Sequence, residues 1–244
     1  PQRGLSTMLA RAVYRATLRG VHQIKKSGHP LQLSPPVTSE EWGTHTRLTP
    51  AELEEQREDV FPWAPADACG EAGALSADDL VRLARRRFAE PVDDEDAAQD
   101  DALAALRALH DLLGRHAASS HAVSHGVRVI ASATFLGANE ESGANLFAYR
   151  LRIKNERDDT VQLRSRHWVI ADEDGAEDEV VPKGSHGVVG QTPTLAPGAE
   201  FQYASGTELR GPKGAIRGSF EFVSVGDGST FEAEVRPFAL VAPP

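Results

Sequence analysis

FAYRLRIKNERDDTVQLRSRHWVIADEDG, residues 147–175, alternates apolar and polar side chains through two runs parted by a charged knot. A period of two puts successive side chains on opposite faces of a sheet. NERDDT and the later DEDGAED are turn clusters of the kind that separate strands. The same texture returns in VRVIASATFL (127–136), EFQYASGTEL (200–209), AIRGSFEFVSV (215–225) and TFEAEVRPFALV (230–241). Many short alternating strands with turns between them predict a β-sandwich over 125–244.

Inside that region lies GSHGVVGQTPTLAPGAEFQYASG (184–206), with Gly184, Gly187 and Gly190 three apart. A phosphate-cradling glycine loop runs from a strand into a helix, whose amino terminus faces the anion. Here QTPTLAPGAEF follows, with two prolines, and Lys183 precedes the glycines instead of following them. The glycines therefore read as turn formers. An anion held by loop amides at Ser185, His186, Gly187 and Gly190, without a helix dipole, is the alternative. Trp168 and Tyr203 read as packing residues, while Arg166, His167 and His186 are groups to examine for an anion or peptide surface. ADEDGAEDE (171–179) reads as a solvated hairpin tip.

Upstream, the period changes. TMLARAVYRATLRGVHQIKKS (7–27) predicts a helix with Leu9, Val13, Ala16, Leu18, Val21 and Ile24 on its apolar side. SADDLVRLARRRFAE (76–90) predicts a second, capped by Ser76, with Leu80, Leu83, Ala84 and Phe88 inward. DEDAAQDDALAALRALHDLLGRH (94–116) predicts a third, burying Leu103, Leu106, Leu109, Leu112 and Leu113. These form a small bundle over 1–115, interrupted by a Pro-rich insertion at 31–75. Thr49-Pro50 opens a short helix in that insertion, and Trp42, Phe61 and Trp63 are its aromatic anchors. Residues 116–124 read as a linker, whose His116, His121 and His125 lack the carboxylate, thiolate and rigidity of a metal site. The fold class is α+β in two domains.

The 244 residues carry 26 Lys and Arg against 36 Asp and Glu, a formal charge of −10, which disfavours nucleic acid as the main partner. No apolar run is long enough for a membrane-spanning helix. Cys69 is the only cysteine, so neither an internal disulfide nor a thiolate zinc site is available. Cys69 reads as a loop thiol. Before Glu40 there is no acid but six cations, a composition that suggests a mitochondrial transit segment and a matrix location. Arg82, Arg85, Arg86 and Arg87 crowd one helix and repel each other unless an acidic partner, or the chain's own DDEDAAQDD, lies against them.

Two resemblances sharpen these expectations. Residues 147–175 together with GVVGQTPTLAPGAEFQYASGTELRGPKGAIRGSFEF (187–222) resemble the ApaG family, over essentially all of 123–244. That likeness implies a fibronectin-type-III-like sandwich without an established catalytic site. It also implies a glycine loop linked to pyrophosphate or nucleotide binding, although Ser185 stands where the family's first glycine would be. VYRATLR (13–19), with RRRFAE further on, resembles the LYR-motif family of three-helix mitochondrial adaptors. That likeness implies a docking surface made by Tyr14, Arg15, Arg19, Arg85, Arg86, Arg87 and Phe88, to which the charge crowding adds Arg82. Its partner would be an acyl carrier protein bearing an acyl-phosphopantetheine, with no intrinsic cofactor. No Ser-His-Asp elbow or carboxylate pair stands out, so the expectation is a non-enzymatic subunit of a mitochondrial assembly, with RNA contact if that assembly is ribosomal. A phosphate- or nucleotide-binding module is the rival reading.

Overall fold

The alternating runs form strands where the period predicts them. The chain is seen in a computed structural model that describes residues 7–46, 60–63, 74–90 and 94–243. It divides into two units, one of Pro1–Pro35 with Thr49–Ala117, the other of Pro36–Leu48 with Ala118–Pro244.

The second unit is an antiparallel sandwich. Its strands are β2 (His45–Thr46), β4 (Ser120–Ser124), β5 (Val127–Ala138), β6 (Asn145–Asn155), β7 (Val161–Asp172), β8 (Glu177–His186), β9 (Thr194–Leu195), β10 (Glu200–Leu209), β11 (Lys213–Ser224) and β12 (Thr230–Val241). One sheet runs β2-β10-β6-β5-β4; the other runs β12-β11-β7-β8, with β9 beside β7. Phe147, Leu151 and Ile153 from the first sheet meet Trp168, Phe220, Phe222 and Phe238 from the second, all fully buried. Each such side chain contributes about 1.5–3 kcal/mol, so the sheets are held by their facing rows.

Residues 36–48 correct the expected domain boundaries. Of these, residues 36–46 lie on the outer face of the β6–β10 sheet as a strap instead of forming a loop of the helical region. Val37 packs with Ala148 and Ala204, and its N–H donates to Thr134 Oγ1 at 3.1 Å. Glu41 accepts from the buried Arg150 guanidinium at 2.7 and 2.9 Å. Trp42 lies over Gly206, where a Cβ would meet its ring at 2.1 Å, and β2 then pairs with β10. A hydrogen-bonding edge, a small-residue seat and a guanidinium explain why a Pro-rich segment orders here. Nor is 116–124 a linker. The third helix continues to Ala118 and β4 follows, with Ser120 Oγ donating to Arg236 O at 2.7 Å.

The first unit has α1 (Thr7–Ser27), α2 (Ala77–Ala89), α3 (Glu95–Ala118) and a two-stranded pair, β1 (Leu31–Gln32) with β3 (Ala74–Leu75). Ser76 Oγ accepts from Asp79 N–H at 3.1 Å while the Asp79 carboxylate accepts from Ser76 N–H at 2.9 Å, a complete capping box. Val13, Ala16, Leu80, Leu83, Leu109, Leu112, Phe61 and Trp63 share its core. Three inward assignments shift. Leu18, Phe88 and Leu103 are exposed, whereas Thr17, Ala102 and Ala105 are buried. The helices approach closely through small residues: a Cβ on Gly20 would meet Leu80 Cδ2 at 2.6 Å. Leucines are consequently displaced to the flanks. The Thr49-Pro50 helix start and Cys69 lie outside the described residues.

Candidate functional site

A single extra residue in β7 builds the site. Leu163 pairs with Phe222 and Ser165 with Glu221, leaving Arg164 without a place in the β11 ladder. Such a bulge reverses which residues face inward. Before it, the odd-numbered Val161 and Leu163 join the inter-sheet core; after it, the even-numbered Trp168 and Ile170 do, while the buried Ser165 and Val169 are not part of that core. Arg166 shares the parity of Trp168 and Ile170. The bulge thus aims a guanidinium at the inner side of the sandwich, where an unbulged strand would have turned it to solvent. The phase slip is visible in VQLRSRHWVIAD, but only once the run is read as a single strand.

Arg166 stands at a cleft of about 240 Å³ between the sheets, lined also by Tyr149, Trp168, Tyr203, Ser205 and Val181. Arg166 is the only charged residue in that lining. Its Nη1–H donates to the Gly187 carbonyl. Trp168 and Tyr203 are each 2% exposed, yet Trp168 Nε1 and Tyr203 Oη make no hydrogen bond of normal geometry. The two groups are close enough for the indole to favour phenolate, but burial dominates and raises the Tyr203 phenol well above its ordinary value. Burial also raises Tyr149, opposed by the Ser205 hydroxyl and the Arg166 charge. Both phenols are therefore neutral donors, and the cleft carries one positive charge. Leaving a buried donor unmet costs about 1–3 kcal/mol, so this concentration of donors calls for an acceptor.

Three amides of the glycine loop are already taken by the loop's own backbone and by β7. Gly187 N–H donates to Arg164 O at 2.8 Å, Val188 N–H to Gln191 O at 2.8 Å, and Gln191 N–H to Val188 O at 2.7 Å. Val189 and Gly190 have φ of 39° and 75°, the two positive values of a tight I′ turn. Ser185 Oγ donates to Pro182 O at 2.6 Å, and His186 is exposed. A Cβ on Gly187 would sit 2.5 Å from Gln191 O, so glycine is required there for closure of the turn. What the turn supplies is the Gly187 carbonyl that orients Arg166. His167 instead faces Glu179 across β8, 2.9 Å away, outside the cleft lining.

In the helical unit, Tyr14, Arg15 and Arg19 lie exposed along α1. The arginines of α2 are largely answered from within the unit. Arg82 pairs with Asp79, Arg86 with Glu90 at 3.7 Å, and Arg87 with Glu90 and with Asp101 at 2.9 Å. Asp101 also accepts from Trp63 Nε1 at 2.8 Å, and Phe88 packs edge-on against Trp63. Arg85 is exposed. Of the DDEDAAQDD segment, Asp101 is the residue that meets this run, through Arg87. An acyl chain entering between these helices would have to displace Val13, Leu80 and Leu109. His116 packs against His29 with ring centroids 4.5 Å apart, while His121 belongs to β4 and His125 to the turn after it. Among the described residues, no group of three or more His, Cys, Asp or Glu is placed to hold a metal, and no helix is long and apolar enough to cross a membrane.

The family model described as the ApaG domain matches residues 137–224, which include every residue lining the cleft. Protein ApaG of Anaeromyxobacter dehalogenans is 43% identical over 124 residues, covering 51% of this chain and 96% of that protein. Protein ApaG of Xanthobacter autotrophicus is 36% identical, covering 50% of this chain and 92% of its own length. A solved structure, a Northeast Structural Genomics Consortium target, is 36% identical with a TM-score of 0.46, covering 50% of this chain and 91% of that one. The named relatives are bacterial, which overturns the mitochondrial-matrix location and, with it, the mitochondrial setting. The basic, acid-free start is over Thr7–Ser27 a core-forming helix with Val13, Ala16 and Ile24 buried. Its arginines are the solvated face of that helix.

Proposed function

The chain belongs to the ApaG family through its sandwich unit, and from this premise we propose that the unit is a non-catalytic binding module for a small anion-bearing ligand. The inter-sheet cleft is its binding site. One observation carries this reading: Arg166 faces the cleft alone as a charge, beside the buried Trp168 indole and Tyr203 phenol, which lie close to each other but make no hydrogen bond of normal geometry. A concave, mostly apolar site with a few convergent polar groups is the usual form of a small-molecule site. Phosphate-bearing nucleotides and pyrophosphate are the ligands that the glycine loop suggests. In this reading the loop acts through the Gly187 carbonyl on Arg166 and its amides do not touch the anion. The exposed faces of the helical unit serve protein contact, and nothing in the reading requires a reaction centre.

Calorimetry and thermal unfolding of the full chain with pyrophosphate, nucleotides and small carboxylates test the module. Saturable heat and a raised midpoint are expected for at least one anion, both lost in Arg166→Gln. A complete panel without heat or shift removes the proposal.

A further inference from the structure

From the lining of the cleft we infer that its ligand is a monocarboxylate on a small apolar, preferably aromatic, body. This assignment rests on the binding-module reading above and narrows it to one chemical class.

Charge comes first. A pyrophosphate brings several negative charges, and phosphate sites usually meet them with a helix amino terminus, a lysine or several arginines. The cleft offers one guanidinium, and the amides of the adjoining turn already serve Arg164, Val188 and Gln191. Lys183 is outside the lining and forms an ion pair with Glu232. In a chain of formal charge −10, the excess charge of a polyphosphate would face net repulsion. A carboxylate matches one guanidinium and no more.

Donor geometry follows. Trp168 Nε1–H can only donate. Tyr203 Oη–H lacks an acceptor as well. Arg166 keeps four N–H groups beyond the one given to Gly187. A carboxylate has two oxygens that accept only, so it matches in kind a guanidinium flanked by buried groups that donate. A neutral amide or alcohol brings fewer acceptor sites and a donor with no partner among Arg166 and Trp168.

Size and walls set the rest. About 240 Å³ lies below the usual range of ligand sites, roughly 300–1,000 Å³, so only a small ligand fits. The walls beyond the donors are Ile170, Val180, Val181, Val189 and Ile216, with the Tyr149 and Trp168 rings. Such a surface favours burial of an apolar or aromatic body and offers a sugar hydroxyl little beyond Ser205 and Thr207. A benzoate-sized acid fits the chemistry, with its carboxylate inward.

The test is calorimetry of the full chain with benzoate and phenylacetate, against benzamide and inorganic pyrophosphate, for the native protein and three variants. Benzoate or phenylacetate is expected to bind, benzamide at least tenfold more weakly, and pyrophosphate not measurably. Arg166→Gln should weaken the acid at least tenfold. Trp168→Phe and Tyr203→Phe should each weaken it several-fold. The Tyr203→Phe variant also separates a ligand role from a structural one, because removing an unpartnered buried hydroxyl should leave the thermal midpoint unchanged or higher while binding falls. Pyrophosphate binding that depends on Arg166, without carboxylate binding, overturns this assignment and leaves the module standing. Benzoate bound equally well by Arg166→Gln and benzamide overturns it too. Silence from every anion removes both.

Discussion

Arginine stands crowded on α2 and alone in the cleft, and the two places differ in what the guanidinium groups meet. On α2 four of them crowd within six residues, from Arg82 to Arg87. There, Asp79, Glu90 and Asp101 answer Arg82, Arg86 and Arg87 on an exposed helix face. In the cleft a single arginine stands between two sheets beside donors that have no acceptor. Density of charge marks the first region, and unmet hydrogen-bonding capacity marks the second. Exposed ion pairs contribute little, about 0–1 kcal/mol each, and water can replace either partner. A buried donor has no such recourse. The lone arginine is therefore the better pointer to a ligand.

The largest effect comes from emptying the core beside the cleft. Trp168→Ala removes a fully buried indole packed edge-on against Tyr149 and Phe220, at about 3–5 kcal/mol. Thermal unfolding should show the sandwich transition strongly lowered, with the helical circular-dichroism signal retained; a sandwich that still melts near the native midpoint would contradict the packing of that indole between the sheets. Next in size is Glu41→Ala, which leaves Arg150, buried under the strap, without its carboxylate. Because Glu41 keeps solvent contact, about 2–3 kcal/mol is expected, below the cost for a fully buried pair. Denaturant unfolding reads it directly.

Asp101→Ala sharpens the contrast from the other side. It removes the acceptor shared by Arg87 and the Trp63 indole, at about 1 kcal/mol to the helical unit, and should leave anion affinity in the cleft unaltered. A change of affinity beyond twofold would count against the separation of the two regions.

Acid distinguishes the units by direction. Burial lowers both His29 and His116, the latter to about 4, with the charge of His29 adding to it. Unfolded histidines take up protons below about 6.5, so the helical unit should lose stability as pH falls from there towards 4. In the sandwich, hydrogen bonds from Arg157 and Ser224 hold Asp159 at about 2. Its contribution is present above the ordinary carboxylate value and is lost only as pH falls through about 2. Hydrogen exchange at pH 7 and pH 5 should thus open α1 and α3 while protection in β7 and β11 persists. Equal opening of both would contradict the assignment of the acid response to the histidine pair.

The sandwich was legible because its side chains obey a period of two against a buried face, and Tyr203 follows from that alternation, whereas Trp168 faces the core only because β7 slips phase at the bulge. What escaped was the fate of the residues between. The strap is held by contacts more than a hundred residues away in sequence, Glu41 with Arg150 and Trp42 over Gly206, which no local pattern announces. In the helices, small residues rather than leucines make the closest contacts, so a leucine count mislaid Leu18 and Leu103. Arg166 was visible as a group to examine, but its inward aim depends on a one-residue bulge. The glycine loop drew attention for its amides, whereas its part in the site is one carbonyl.

The most direct measurement is the indole N–H region of a nitrogen–proton correlation spectrum of the full chain during titration with benzoate. Three tryptophans give three resonances: Trp42 on the strap, Trp63 bonded to Asp101, and Trp168 in the cleft. A saturable downfield shift confined to Trp168, absent in Arg166→Gln, is the expected result. An unmoved Trp168 resonance, or one that moves no more than those of Trp42 and Trp63, contradicts the cleft as the binding site for that acid.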